Sequence, residues 1–209
     1  MTKGRLAWII IIAVLIIDQV IKIAVKMNMA LDEQIVIFDW FRIHFIENNG
    51  MAYGMTFINK LVLSLFRLVA VAAVGWYIVR QIRNHASWGY IVCLSMILAG
   101  AAGNILDSMF YGLCFTESTP WSTAVVVSPG EGYAPFLMGK VVDMFYFPMI
   151  DTFYPDWFPV WGGERFVFFS PVFNFADACI SVGVVLLLLF YRNELRFDNQ
   201  EDEQAGESK

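Results

Sequence analysis

The chain has 209 residues, 58% of them hydrophobic and only 16% charged, with a mean hydropathy of +0.60. A soluble domain has about 45–50% apolar and about 25% charged residues, so this composition excludes an ordinary soluble core and points to a membrane. The net charge of -5 comes from Asp198, Glu201, Asp202, Glu203 and Glu207; the rest is nearly neutral, which excludes a nucleic-acid partner.

Four apolar stretches approach the roughly 20 residues that a bilayer core requires: about 6–25, 61–79, 88–106 and 175–191. The first follows Lys3 and Arg5 as a cleaved leader would. Apolar residues resume beyond Asp18 and Gln19, however, and no small-x-small site follows, so a retained helix is predicted. It carries Asp18 and Lys22, and an ionised group at a helix centre costs at least about 2.5–3.5 kcal/mol. Spaced i and i+4, the two share a face and can neutralise each other. A packing pair and a direct site role both remain open for them.

In the segment of about 27–60, the stretch from Ile35 to Glu47 alternates Trp40, Arg42 and His44 with Phe41, Ile43 and Phe45, which predicts a strand. Arg67, near one end of the second span, is placed to snorkel to headgroups. The third span ends in the small residues Ala99 to Gly103, which permit close helix approach. Asn104 and Asp107 follow one turn apart. The next segment, about 108–173, has 18 aromatics among residues 110–173, a density that suits the headgroup interface. A packed outer domain without membrane contact is the other reading. This segment holds Asp143, and the fourth span opens with Asn174 and Asp177. Residues 1–197 are predicted to form one membrane-embedded domain, and 198–209 a disordered acidic tail.

Lys3, Arg5, Arg80, Arg83, Arg192 and Arg196 fall on one side of such a bundle, which the positive-inside rule makes the cytoplasm. Four spans put both termini there and the segments 27–60 and 108–173 outside. Asp18, Lys22, Asn104, Asp107, Asp143, Asn174 and Asp177 then all lie near one depth, by the outer face. The sequence has no HExxH, nucleophile elbow or phosphate loop, and its histidines are His44 and His85. Cys93, Cys114 and Cys179 form no CxxC or zinc spacing, so neither a metal nor another cofactor is predicted. Carboxylate-pair chemistry remains: two close aspartates share a proton, one activating water while the other hydrogen-bonds a carbonyl. On these grounds Asp18, Asp107, Asp143 and Asp177 are all eligible. A proton relay through Asp18, Lys22 and Asp177 would need polar residues in the inner halves of the spans, where the sequence has almost none. A scaffold protein whose aspartates only pack helices is a third reading.

The motifs resemble lipoprotein signal peptidase (signal peptidase II). They are Asp18-Gln19-x-x-Lys22, Asn48-Asn49-Gly50-Met51-Ala52-Tyr53-Gly54, Gly103-Asn104-x-x-Asp107, Val141-Val142-Asp143 and Phe173-Asn174-x-Ala176-Asp177. They run in order through most of the chain. The resemblance implies an aspartic endopeptidase of the bacterial inner membrane that cuts prolipoproteins before a diacylglyceryl-modified cysteine. It implies an all-α membrane fold, a four-helix transmembrane bundle with a small β-rich cradle and a helix on the outer face. By the same resemblance, Asp143 and Asp177 are the catalytic pair, and Asp18, Lys22, Asn48, Gly50, Asn104, Asp107 and Asn174 support them or the substrate. Prolipoproteins, membrane lipids and globomycin-type inhibitors are the implied partners of a monomer. Two departures stand out. Ser108 replaces an arginine usual in the family, with Arg165 or Lys140 as candidate substitutes, and about 113–138 reads as an insertion.

Overall fold

The structure is a computed structural model that describes residues 1–49 and 60–195. Gly50 through Gly54 of the second motif, Arg196 and the acidic tail lie outside the described residues.

Helix α1 (Lys3–Asn28) starts where the Thr2 hydroxyl accepts the Arg5 amide. Helix α2 spans Lys60–Arg83, and α3 (Trp88–Leu106) is capped by Ser87. Helix α3 does not end at Asp107. It widens into a π-helical turn, Asp107–Tyr111, and closes with the short α4, Gly112–Cys114. Helix α5 (Phe175–Phe190) opens with a capping box between Asn174 and Asp177. The first three helices are long and apolar enough to cross a membrane; α5, at 16 residues, is apolar but shorter. Helix α3 is central and packs on α1, α2 and α5. Gly100 lets α5 in: a Cβ there would collide with the Ala176 carbonyl and lie 2.7 Å from Ile180 Cγ1. Outward-facing side chains such as Ile16, Val20, Phe66, Val69, Leu188 and Leu189 are exposed, an inside-out arrangement that needs hydrocarbon as its solvent.

The β portion comprises β1 (Gln34–Phe38), β2 (Phe41–Asn48), β3 (Val141–Tyr146), β4 (Ile150–Phe153), β5 (Arg165–Phe168) and β6 (Val172–Phe173). Strands β1-β2-β3-β6 form an antiparallel sheet, and β4 and β5 make a separate hairpin. The predicted strand from Ile35 to Glu47 is two strands, because the chain turns at Asp39 and Trp40. All-α therefore describes the apolar part of a membrane protein that also carries two sheets. In the larger sheet, Ile46 pairs with Asp143 and Asn48 with Val141. Beneath it, Phe45, Val142 and Met144 pack against Met29 of the chain leaving α1, Tyr111, and Phe115 and Ala124 from the long connection to β3.

Candidate active site

Four elements meet where α3 ends and α5 begins. From α1, Lys22 points its ammonium between three oxygens: Asp18 Oδ2 at 3.0 Å, Asp107 Oδ2 at 2.8 Å and Asn104 Oδ1 at 2.8 Å. All three ammonium hydrogens are thereby used. Lys22, Asp18 and Asp107 are fully buried. A buried charge survives only when it is paired and hydrogen-bonded, and this cation has two carboxylates and an amide.

Each carboxylate also does something beyond charge balance. Asp18 Oδ1 accepts the Ala176 amide at 2.9 Å, one of the unpaired donors in the first turn of α5. Gly103 makes this possible, since a Cβ there would lie 2.7 Å from Asp18 Oδ2. Asp107 Oδ2 accepts the Val142 amide at 3.3 Å and so fixes β3 one residue before Asp143. Gln19 ties the two acids together, donating to Asp107 Oδ1 at 2.9 Å and to Asp18 Oδ2 at 3.2 Å, while Tyr111 donates to its carbonyl.

Upon this base sit Asp143 of β3, 2% exposed, and Asp177 in the first turn of α5, half-buried. The Asn174 side-chain amide donates to Asp143 Oδ1 at 2.7 Å and to Asn104 Oδ1 at 3.0 Å. Its carbonyl accepts the Asp177 amide at 2.9 Å. Asn104 in turn donates to Asp177 Oδ1 at 2.7 Å, and Asn48 to Asp143 Oδ2 at 3.3 Å. Asn174, Asn48 and Asn104 thus orient the two carboxylates through neutral amides. Burial first, and the charge of Asp177 second, push the Asp143 carboxyl up to about 7, against the lowering effect of Asn174, Asn48 and Lys22. A carboxyl that keeps its proton up to about 7 beside a second carboxylate suits general acid–base chemistry.

The structure brings together Asp18, Lys22, Asn48, Asn104, Asp107, Asp143, Asn174 and Asp177; Gly50 lies outside the described residues. Ser108 donates back to the Asn104 carbonyl. Neither proposed replacement for its missing cation turns to the pair: Arg165 clasps Asp151 on the β4–β5 hairpin, and Lys140 binds Glu117 and Glu47. The cation that senses both Asp143 and Asp177 is half-buried Arg67 of α2. Reading Arg67 as a snorkelling residue passed over it, and Gln19 was noted only as part of a motif. A basic residue in an apolar span was the available signal for the first. Among the described residues, no group of three or more His, Cys, Asp or Glu side chains is placed to hold a metal ion.

Comparison with known proteins finds relatives over most of the chain. A family model described as signal peptidase (SPase) II matches residues 10–192. The lipoprotein signal peptidase of Porphyromonas gingivalis is 48% identical over 190 residues, covering 90% of this chain and 84% of that protein. That of Amoebophilus asiaticus is 33% identical, covering 87% and 75%. A solved structure described as a bacterial membrane enzyme studied by the in meso method superposes with a TM-score of 0.57 at 21% identity, covering 88% of this chain and 90% of that one, and shares the fold. With nearly the whole chain matched by a protease family model, this membrane protein belongs to the signal peptidase II family.

Proposed function

We propose that the chain is a membrane-embedded aspartic endopeptidase that removes signal peptides from diacylglyceryl-modified prolipoproteins, cutting just before the lipid-bearing cysteine. The observation that carries this reading is the Asn174 bridge, which holds Asp143 and connects through Asn104 to Asp177 while leaving the pair free to share a proton. In the productive state the half-buried Asp177 is ionised and the buried Asp143 is protonated, the distribution that burial favours. Asp177 takes a proton from water as the water oxygen attacks the scissile carbonyl carbon, and Asp143 gives its proton to the carbonyl oxygen. Collapse of the tetrahedral intermediate returns a proton to Asp143, while Asp177 protonates the departing nitrogen as the C–N bond breaks. The buried Asp18–Lys22–Asp107 lattice touches no substrate; it sets where α5 and β3 present the pair.

Both termini lie in the cytoplasm and the site near the outer face of the bacterial inner membrane, an orientation that Lys3, Arg5, Arg80 and Arg83 support. There the cleavage site of a lipid-anchored precursor is within reach, and the protein needs neither cofactor nor a second subunit. The test is cleavage of a lipidated prolipoprotein peptide by purified protein, with and without a globomycin-type inhibitor. Inhibitor-sensitive cleavage by the parent, and none by Asp143→Asn or Asp177→Asn protein that still inserts in membranes, is expected. Cleavage retained by either variant rejects the pair.

A further inference from the structure

A second buried ionic cluster centres on Lys26, four residues beyond Lys22 on α1. Lys26, in the last turn of α1, is fully buried and paired with Glu47 of β2. Ser118 closes the triangle: its hydroxyl accepts from Lys26 Nζ at 3.0 Å and donates to Glu47 Oε1 at 2.8 Å. Ser118 is itself only 2% exposed. Lys140 reaches Glu47 Oε2 at 3.4 Å and Glu117 at 3.0 Å, so two cations face two carboxylates. The rings of Tyr133 and Phe115 lie 5.1 Å and 5.6 Å from Lys26 Nζ and cover it.

Apart from Lys26 and Glu47, these residues come from the long connection between α4 and β3, and all of them but Lys140 from the stretch of about 113–138 that reads as an insertion. Its backbone is fastened to the same corner. Leu31 N donates to Thr119 O at 3.0 Å, and Ala124 N to Lys26 O at 3.3 Å. At its far end Gly139 N donates to Ser108 O at 2.9 Å, and Lys140 N to the Tyr133 hydroxyl at 2.7 Å. Glu47 immediately precedes Asn48, the residue whose amide holds Asp143 Oδ2. In the β2–β3 register Glu47 pairs with Val142 and Asn48 with Val141, so an error in placing Glu47 carries directly to Asn48.

We infer that residues 115–140 are a brace for the active site, in which Ser118 locks Glu47 against Lys26 and thereby positions Asn48 on Asp143. Ser118, Glu47 and Lys26 are positioning residues; none touches the two aspartates. Resting on the aspartic-peptidase reading, this gives the inserted segment a part in the reaction.

Ser118→Ala, Ser118→Thr, Asn48→Ala and the Ser118→Ala/Asn48→Ala double variant, in the full chain, test the inference with two readouts. One is kcat and KM on a lipidated prolipoprotein peptide. The other is titration of the Asp143 carboxyl in substrate-free protein, followed as the infrared difference from Asp143→Asn. The other charged groups facing Asp143, namely Asp177 from α5, Lys22 from α1 and Arg67 from α2, are the same in all four variants. Ser118→Ala is expected to lower kcat about three- to tenfold with KM little changed. It also moves the Asp143 midpoint upward, since the lost Asn48 bond favoured the ionised form. Ser118→Thr, which keeps the hydroxyl, restores both, and Ser118→Ala adds nothing once Asn48 is alanine. A Ser118→Ala effect that adds in full to Asn48→Ala, or a lower melting temperature without a shifted midpoint, overturns the brace. If the parent fails to cut the peptide while the midpoint still moves, the peptidase reading fails and the brace stands. Cleavage by the parent with an unmoved midpoint has the opposite meaning.

Discussion

Two ion pairs in this molecule use the same chemistry to opposite ends. Arg165 and Asp151 join the strands of the β4–β5 hairpin through two short bonds, in the open. Lys22 joins Asp18 and Asp107 with no solvent exposure at all. Water already satisfies the exposed pair, so its geometry does little for stability and nothing for the site. The buried cation has no water to fall back on, and each carboxylate it neutralises also holds a backbone amide, Ala176 or Val142, one residue before an aspartate of the pair. Burial turns a weak interaction into a positional one, because any displacement leaves a charge unpaired.

The contrast can be sharpened by substitution. The largest effect belongs to the pair set by this lattice: Asp143→Asn or Asp177→Asn is expected to lower kcat/KM by at least about 10²-fold in a peptide cleavage assay, with the protein still folded. Next comes Lys22→Met, which leaves two buried carboxylates facing each other. A loss of about 3–5 kcal/mol is expected in denaturant titration of detergent-solubilised protein, with activity lost alongside. A Lys22→Met protein as stable as the parent would break the comparison. Gly103→Ala pushes a methyl to within 2.7 Å of Asp18 Oδ2 and should cost about 1–3 kcal/mol in the same measurement. The smallest effect is Arg165→Ala, expected to leave both the melting midpoint and cleavage unchanged.

A pH series adds a direction. The folded protein holds the Asp143 proton up to about 7, above its unfolded value, so between roughly pH 4 and 7 the folded state binds more protons than the unfolded one. Stability from this group therefore falls as pH rises through that window, and Asp143→Asn should flatten the fall. The alkaline limb of kcat/KM should descend through about 7 as the shared proton is lost. A melting midpoint that rises across this window in the parent but not in Asp143→Asn would contradict the raised value.

Much of this was legible in the chain. The cost of polar groups in apolar helices singled out Asp18, Lys22, Asn104, Asp107, Asn174 and Asp177, and the i, i+4 spacing of Asp18 and Lys22 announced their contact. Other features depend on three-dimensional closure. The Lys26–Ser118 bond spans 92 positions, and nothing local to Ser118 marks it. That Asp107 grips the Val142 amide follows from the π-helical turn and the return of the chain at Gly139, where a side chain would strike the Asp107 and Ser108 carbonyls. The break at Asp39 and Trp40 was passed over because β-branched and aromatic residues continue on both sides of it, with Asp39 the one turn-forming residue between them.

The cap of α5 has a consequence for how variants of this enzyme should be screened. As an N-cap, Asn174 has good substitutes: serine or aspartate would accept the Asp177 amide and start the helix equally well. Neither offers two hydrogens to share between Asp143 and Asn104. Asn174→Ser therefore passes unnoticed in a thermal-shift or expression screen while the aspartates lose their alignment. At this position folding and chemistry draw on different atoms of one side chain, so tolerance in one assay says nothing about tolerance in the other.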